Sequence, residues 1–249
     1  MCLIAIAFGV DPSRPLVVAA NRDEEYARPA ISSHWWEDAP ILAGRDLEKG
    51  GTWMGISKSG RFCALTNYRD PAEQTEGKKS RGHIVRSFLE SDRTGDVFLN
   101  ELDRERNQYP GFNVIAGTAE ALHVYSSRSG KKAFPLEPGI HALSNAFLNT
   151  PWPKTERLKT QMAQSLGSRE SMFRMLQDNQ AAADEELPAT GVPLEWERLL
   201  SPIFIESPHY GTRCSTIIEV NSRQAASWTE RTFKRGFPVE ERFFSFDFN

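Results

Sequence analysis

The chain opens "MCLIAIAF", with a cysteine directly behind the initiator methionine. Methionine is trimmed when the next residue is small, and Cys2 is small. A liberated Cys2 would carry a thiol and a free α-amine on one residue, a nucleophile with its own base. The ordinary pKa of an α-amine, about 7.7 to 8.0, lets it accept a proton near neutral pH. The stretch "NRDEE" at 21–25 holds groups that could tune such a pair. A guanidinium favours thiolate and cannot itself deprotonate, which suits Arg22 to the thiol. A carboxylate holds and orients an amine, which suits Asp23. Each residue also has a plainer reading, Cys2 as a buried small hydrophobe and "NRDEE" as a solvated strand end.

These groups meet only if the chain folds back on itself. Residues 2–8 and "LVVAA" at 16–20 read as buried strands joined by the turn-forming "DPSR", so a hairpin is expected. If Asp11 and Arg14 close a two-residue turn, Cys2 lies opposite Asp23, and a longer loop shifts the partner by a residue or two. A one-residue slip exchanges the faces, so the hairpin alone leaves open which of Asn21, Arg22, Asp23 and Glu24 face Cys2.

Further along, "GGTWMGIS" and "FCALTNY" flank the turn "KSGR" as a second hairpin, with Gly50 and Gly51 marking backbone that a side chain would not fit. Between residues 77 and 107 the period changes. Ile84, Val85, Phe88 and Leu89, then Val97, Phe98 and Leu102, recur at helical spacing, which predicts two helices. Strand character returns in "FNVIAG", "ALHVYSS" and "HALSN". A second helical pair follows in "KTERLKTQMAQSL" and "RESMFRMLQ". Residues 181–211 read as a long surface excursion, and "RCSTIIEV", "AASWTERTF" and "ERFFSFDF" close with strands. Blocks of strands alternating with helix pairs predict an α+β fold of mostly antiparallel sheets, in one domain over residues 1–249.

Composition limits the partners. A formal charge of −3, with both signs interspersed, leaves no basic stripe for nucleic acid and no polybasic membrane patch. A small or neutral partner is expected. Cys2, Cys63 and Cys214 are sparse and lack CxxC spacing, so neither a disulfide framework nor a zinc site is indicated. The five histidines, His34 among them, show no metal-ligand spacing. The opening apolar run lacks the basic flank and cleavage site of a signal peptide, and no stretch reaches the ~18 apolar residues of a membrane span. A soluble, cytoplasmic protein is expected, with oligomeric state left open.

"NRDE" at 21–24, "AGRDLEKGGTWMGIS" at 43–57, "ALTNYR" at 64–69, "GFNVIAG" at 111–117, "LSNAFLNTPWPK" at 143–154 and "YGTRCSTII" at 210–218 occur in order along nearly the whole chain. Together with the leading "MC" they resemble the NRDE family, also called the transport and Golgi organisation protein family. The resemblance implies the fold of N-terminal nucleophile hydrolases, a four-layer αββα sandwich. Within that superfamily the chain is similar to the cysteine acylases that cleave penicillin V and conjugated bile acids. Carried over by position, that similarity implies Cys2 as nucleophile, Arg22 and Asp23 as its early partners, and Asn67, Asn145 and Arg213 as the later polar residues. The Asn67 amide is suited to an oxyanion, and Asn145 to a leaving group or the Cys2 amine. The plainer readings are a turn asparagine, a helix start and an edge charge. Asn21, Trp35, Trp53 and Tyr68 are the expected substrate contacts, although Trp35 and Trp53 read equally well as packing.

The function expected from these readings is hydrolysis of an amide or thioester of a small, partly apolar molecule through an acyl-Cys2 intermediate, with no required cofactor. The alternative is a non-catalytic carrier on the same scaffold. Family members are linked to haem trafficking and lipid metabolism, and this implies a haem or a lipid or acyl-CoA ligand, with Cys2 and His34 as candidate haem-iron ligands.

Overall fold

The computed structural model describes residues 2–249, so the expected trimming of Met1 concerns a residue outside the described range. The first strands are β1 (Cys2–Asp11), β2 (Arg14–Glu25), β3 (Ala30–Trp35), β4 (Ile41–Asp46), β5 (Met54–Ser57) and β6 (Phe62–Asn67). Then come α1 (Gly82–Glu90), α2 (Gly95–Glu105), β7 (Phe112–Gly117), β8 (Leu122–Ser126), β9 (Phe134–Pro135) and β10 (Gly139–Leu143). The chain closes with α3 (Pro153–Ser165), α4 (Arg169–Leu176), α5 (Leu194–Leu199), β11 (Tyr210–Val220), β12 (Ala225–Lys234) and β13 (Phe237–Asp247). The strands make two antiparallel sheets, ordered β10-β1-β2-β11-β12-β13 and β3-β4-β5-β6-β7-β8-β9.

The unbroken apolar run of β1 follows from its position, because both faces are covered. Ile4, Ile6 and Phe8 meet the second sheet, in a core with Val18, Ile56, Phe62 and Trp228. Leu3, Ala5 and Ala7 meet Leu158 and Met162 of α3 and Met172 and Phe173 of α4. Alanines at 5, 7 and 19 keep that face thin, so the helices pack close to the sheet. On the far side, α1 and α2 cover the second sheet through Val85, Phe88, Leu99 and Leu102. The layers therefore run helix, sheet, sheet, helix, as expected.

The first hairpin turns as expected, with Asp11 paired to Arg14 and the Asp11 carboxylate accepting from Ser13 N at 2.9 Å. The register beyond it differs from the simple expectation. Gly9 and Val10 together oppose Pro15 in a bulge, Gly9 has a φ of +61°, and Cys2 lies opposite Arg22 instead of Asp23. Proline fits there because a bulge removes the need for its missing N–H. The expected surface excursion at 181–211 is also corrected. It contains α5, and Leu200, Ile203, Phe204 and Ile205 are buried, with Phe204 edge-on to Phe233 at 4.9 Å. The apolar residues of "LLSPIFI" carry the segment back into the core.

Gly51 marks a close backbone approach. A Cβ there would lie 2.6 Å from the carbonyl carbon of Gly82, at the start of α1. Backbone cannot yield as a side chain end can, so Gly51→Ala is expected to cost about 2 kcal/mol or more. Urea denaturation checks this, and a loss below ~0.5 kcal/mol would show that the approach is looser than described.

Candidate active site

The head of β1 opens on a cavity of about 1280 Å³ whose lining includes Cys2, Arg22, Asn67, Trp53, Arg213 and Tyr210. The register explains the lining. Directly opposed residues of an antiparallel pair share a face, and Arg22 is opposed by Cys2 on one side and Cys214 on the other. All three project between the sheets, where the core ends and the cavity begins. Asp23 alternates to the helix side, where Thr212 opposes it and donates its hydroxyl at 2.7 Å. The Cys2 sulfur therefore belongs to the side of Arg22. The two expected partners of Cys2 therefore lie on opposite faces of the sheet.

Burial dominates the electrostatics. Cys2 is buried, and desolvation pushes its thiol up to about 11, although Arg22 pulls in the opposite direction. Arg22 also lies 3.8 Å from Glu24 and 3.9 Å from Asp46, which share its charge. The expectation that Arg22 makes the thiol acidic is thus outweighed. At pH 7 a thiol at about 11 is ionised to about one part in 10⁴. Any attack by this sulfur at neutral pH would therefore need a proton acceptor beside it. Burial likewise raises the Asp23 carboxyl, against the pull of Lys154, Arg22 and the Thr212 hydroxyl.

The later residues enter in different ways. Asn67 lines the cavity at the end of β6, and its carbonyl accepts from Asn145 Nδ2 at 2.9 Å. Asn145 is buried and outside the lining, and its backbone carbonyl accepts from Arg69 N at 2.7 Å. It holds the end of β6, and no contact with the cavity is made. Arg213 sits at a second bulge, between Thr212 and Cys214, and donates to the carbonyls of Glu25 at 2.8 Å and Arg28 at 3.0 Å. Its guanidinium braces the chain leaving β2 while lining the cavity.

Of the expected substrate contacts, Trp53 lines the cavity. Asn21 faces the helices, donating to the carbonyls of Leu176 at 2.8 Å and Ile203 at 2.9 Å and accepting from Ser215 Oγ at 2.6 Å. Trp35 packs edge-on to Phe246 at 4.7 Å, and Tyr68 packs on Phe147 at 5.3 Å. None of these three is in the lining. His34 is also outside it, its Nδ1 at 2.9 Å from the Ser32 carbonyl oxygen. Cys2 and His34, the donor pair expected for haem iron, therefore do not share the cavity lining.

Sequence reasoning passed over several residues here. Arg81 lines the cavity and donates to the Gly111 carbonyl at 2.9 Å. Glu230 also lines it, accepting from Ser33 N at 2.7 Å and Ser33 Oγ at 2.6 Å, which ties β12 to β3 across the two sheets. Its signal was present in the sequence, because alternation from Trp228 carries an acid onto the buried face. Lys154 is buried near Asp23 at the start of α3, where a helix ordinarily prefers an acid.

A cysteine heading an inner strand of an αββα sandwich defines a class, the fold of the N-terminal nucleophile hydrolases. A Caenorhabditis elegans ortholog of N-acylethanolamine-hydrolyzing acid amidase shares it with a TM-score of 0.53 at 13% identity, over 87% of this chain and 92% of its own. A mutant of conjugated bile acid hydrolase from Clostridium perfringens gives 0.51 at 10% identity, over 99% and 92%. At such identities the likeness is one of fold. The family is narrower. The model of the Transport and Golgi organisation 2 family matches residues 1–235, and the chain belongs to that family. Transport and Golgi organization protein 2 homologs from Bos taurus and Homo sapiens are each 32% identical, over 96% and 93% of this chain and 95% and 93% of their own. The Drosophila melanogaster protein is 26% identical over 93% of this chain and 92% of its own. Among the described residues no helix is long and apolar enough to cross a membrane.

The raised thiol has a measurable consequence. Iodoacetamide modification of Cys2, followed by peptide mass spectrometry, is expected to accelerate about tenfold per pH unit from pH 7 without a plateau below pH 10. Arg22→Gln is expected to slow it several-fold at each pH. A plateau below pH 9 would contradict the dominance of burial. The folded thiol keeps its proton to about 11 whereas an exposed one releases it near 9.0. The stability due to this group is therefore present below pH 9 and lost as pH rises toward 11.

Proposed function

We propose that this protein is a cysteine hydrolase of amide or thioester bonds, acting as one domain on a small, partly apolar molecule. One observation supports the reading most: Cys2, Arg22 and Asn67 line a single cavity, and Arg22 stands directly opposite Cys2. In this mechanism the α-amine of trimmed Cys2 takes the thiol proton as sulfur attacks the carbonyl carbon. That answers the scarcity of thiolate, since the base is present at the moment of attack. The Asn67 side-chain amide stabilises the oxyanion, and Asn145 keeps Asn67 in place. The ammonium then returns its proton to the leaving amine or thiol, leaving a thioester on Cys2. Water hydrolyses this thioester, with the amine again as base, to free the acid and restore the thiol. Arg22 steadies the sulfur as charge develops on it. Trp53 and Leu65, both in the lining, form the apolar part of the pocket. Three free cysteines suit a reducing cytoplasm.

A second reading, a non-catalytic carrier of a lipid or acyl-CoA, draws on a separate observation. Among the described residues Lys49, Arg81, Arg213, Lys234 and Arg235 line the cavity and form no ion pair. Such a rim suits an anionic amphiphile that is held without being cleaved. Haem, the other ligand considered for a carrier, would require ligands other than the Cys2 and His34 pair.

The two readings separate on one experiment. Chain trimmed of Met1, verified by intact mass, is incubated with a panel of acyl-amides and acyl-thioesters. Hydrolysis predicts an acyl adduct on Cys2 that hydroxylamine removes, absent in Cys2→Ala. Asn67→Ala is expected to slow its formation about 100- to 1,000-fold. Acyl-CoA binding that weakens with salt and is unchanged in Cys2→Ala, with no adduct across the panel, would contradict the hydrolase and favour the carrier.

A further inference from the structure

The short helix α5 is inverted relative to an ordinary surface helix. Its one buried residue is Glu197, 4% exposed, whereas Trp196 is 47% exposed and Leu194 49%. A surface helix normally turns its apolar residues inward and its acids to water. Six residues are also too few to hold a helix in water unaided, so α5 depends on its anchor. That anchor is charge. The Glu197 carboxylate accepts from Arg69 Nη1 at 2.7 Å, from Thr190 N at 2.9 Å and from the Thr190 hydroxyl. The Arg69 guanidinium lies over the Trp152 ring at 4.7 Å. Arg69 follows the end of β6 by two residues, and its backbone N–H is bonded to the same Asn145 that holds Asn67. The helix is thus tied to the end of β6 that carries Asn67.

With the acid in the buried place, the neighbouring Trp196 is turned toward the cavity, which it lines together with Tyr210, Pro208 and Pro110. Its ring stands edge-on to Tyr210, with centroids 6.4 Å apart. Half-exposed and in the lining, Trp196 stands where the cavity meets solvent. A lone exposed aromatic on a surface is ordinary. One in a cavity lining, on a helix anchored by its acid, is a wall whose outer half nothing in this chain covers. The cavity, at about 1280 Å³, also exceeds the roughly 300 to 1,000 Å³ of most small-ligand sites, so a molecule reaching from Cys2 to the rim must be extended.

We propose that Trp196 is a specificity-determining contact of the Cys2 cavity, its ring bearing an extended apolar group of the substrate where the cavity opens. The proposal deepens the hydrolase reading and rests on it for placing the substrate carbonyl at Cys2. Apolar carbons laid on an indole ring leave water, and the gain grows with the carbons covered. A substrate with a short acyl group and no extended apolar part would leave Trp196 untouched.

The test reads the ring itself. Full-length Cys2→Ala protein, which cannot form an acyl-enzyme, is labelled with fluorotryptophan, and the Trp196 resonance is assigned by fluorine NMR as the one missing in Trp196→Phe. N-methyloctanamide is titrated in, with N-methylacetamide as the short control. The long amide is expected to shift the Trp196 resonance saturably, and the short one at equal concentration to leave it in place. By calorimetry Trp196→Ala is expected to weaken binding of the long amide about tenfold, with most of the affinity kept in Trp196→Phe. A Trp196 resonance that the long amide never moves, or an affinity that Trp196→Ala leaves unchanged, would overturn the proposal. A merely structural tryptophan would alter melting without answering to chain length. Binding in Cys2→Ala requires no turnover. A shifted Trp196 resonance without any acyl-Cys2 in the parent protein would therefore defeat the hydrolase reading alone.

Discussion

The register of one β-ribbon decides the chemistry open to this chain. A side chain in a strand can face only one of two ways, and a slip of one residue exchanges the faces. Two residues, Gly9 and Val10, stand opposite Pro15, and that extra residue sets Cys2 against Arg22. The sulfur therefore enters the cavity between the sheets, and the carboxylate of Asp23 stays behind, among the helices. Without the bulge the tight turn at Asp11 and Arg14 would carry Cys2 to Asp23, and a thiol would share its face with an acid.

The sheet thus works as a partition. On the cavity side are the thiol, Arg22, Asn67 and a rim rich in cations. On the helix side are Asp23, Thr212 and Lys154, all buried and none in the cavity lining. Between them runs the backbone of β1 and β2. The cost of the arrangement falls on the thiol, whose burial outweighs the neighbouring guanidinium. In the proposed hydrolase a base attached to the same residue would offset that cost, because the proton would move only as the bond to sulfur forms. The bridge from Glu230 to Ser33 and the bond from Asn145 to Asn67 then keep the two sheets in register around the cavity.

Much of this was legible beforehand, and for identifiable reasons. The apolar run of β1, the two helical pairs and the closing strands each repeat with the period of their element, and periodicity survives in a single sequence. Gly50 and Gly51 announced a special backbone, and Gly50 indeed has a φ of +71°. The partner of Cys2 was not legible, because turn arithmetic cannot count a bulge. Nor was the role of Asn21, whose amide is consumed by carbonyls of Leu176 and Ile203 that lie more than 150 positions away. Trp35 was ambiguous by nature, since an aromatic ring at a pocket rim and one in a core look alike in sequence. Lys154 broke the usual preference for acids at a helix start, and such a breach, read alone, points to no partner.

The likeness to known hydrolases extends to the fold and, at 10–13% identity, carries nothing about substrate. The central claim concerns the face of the sheet that the Cys2 sulfur takes. A crystal structure of the trimmed chain measures this directly, through the position of the sulfur relative to Arg22 and Asp23. The account predicts the sulfur on the Arg22 side of the sheet, with the Asp23 carboxylate on the opposite side. A sulfur lying among the helices, beside Asp23, would contradict it.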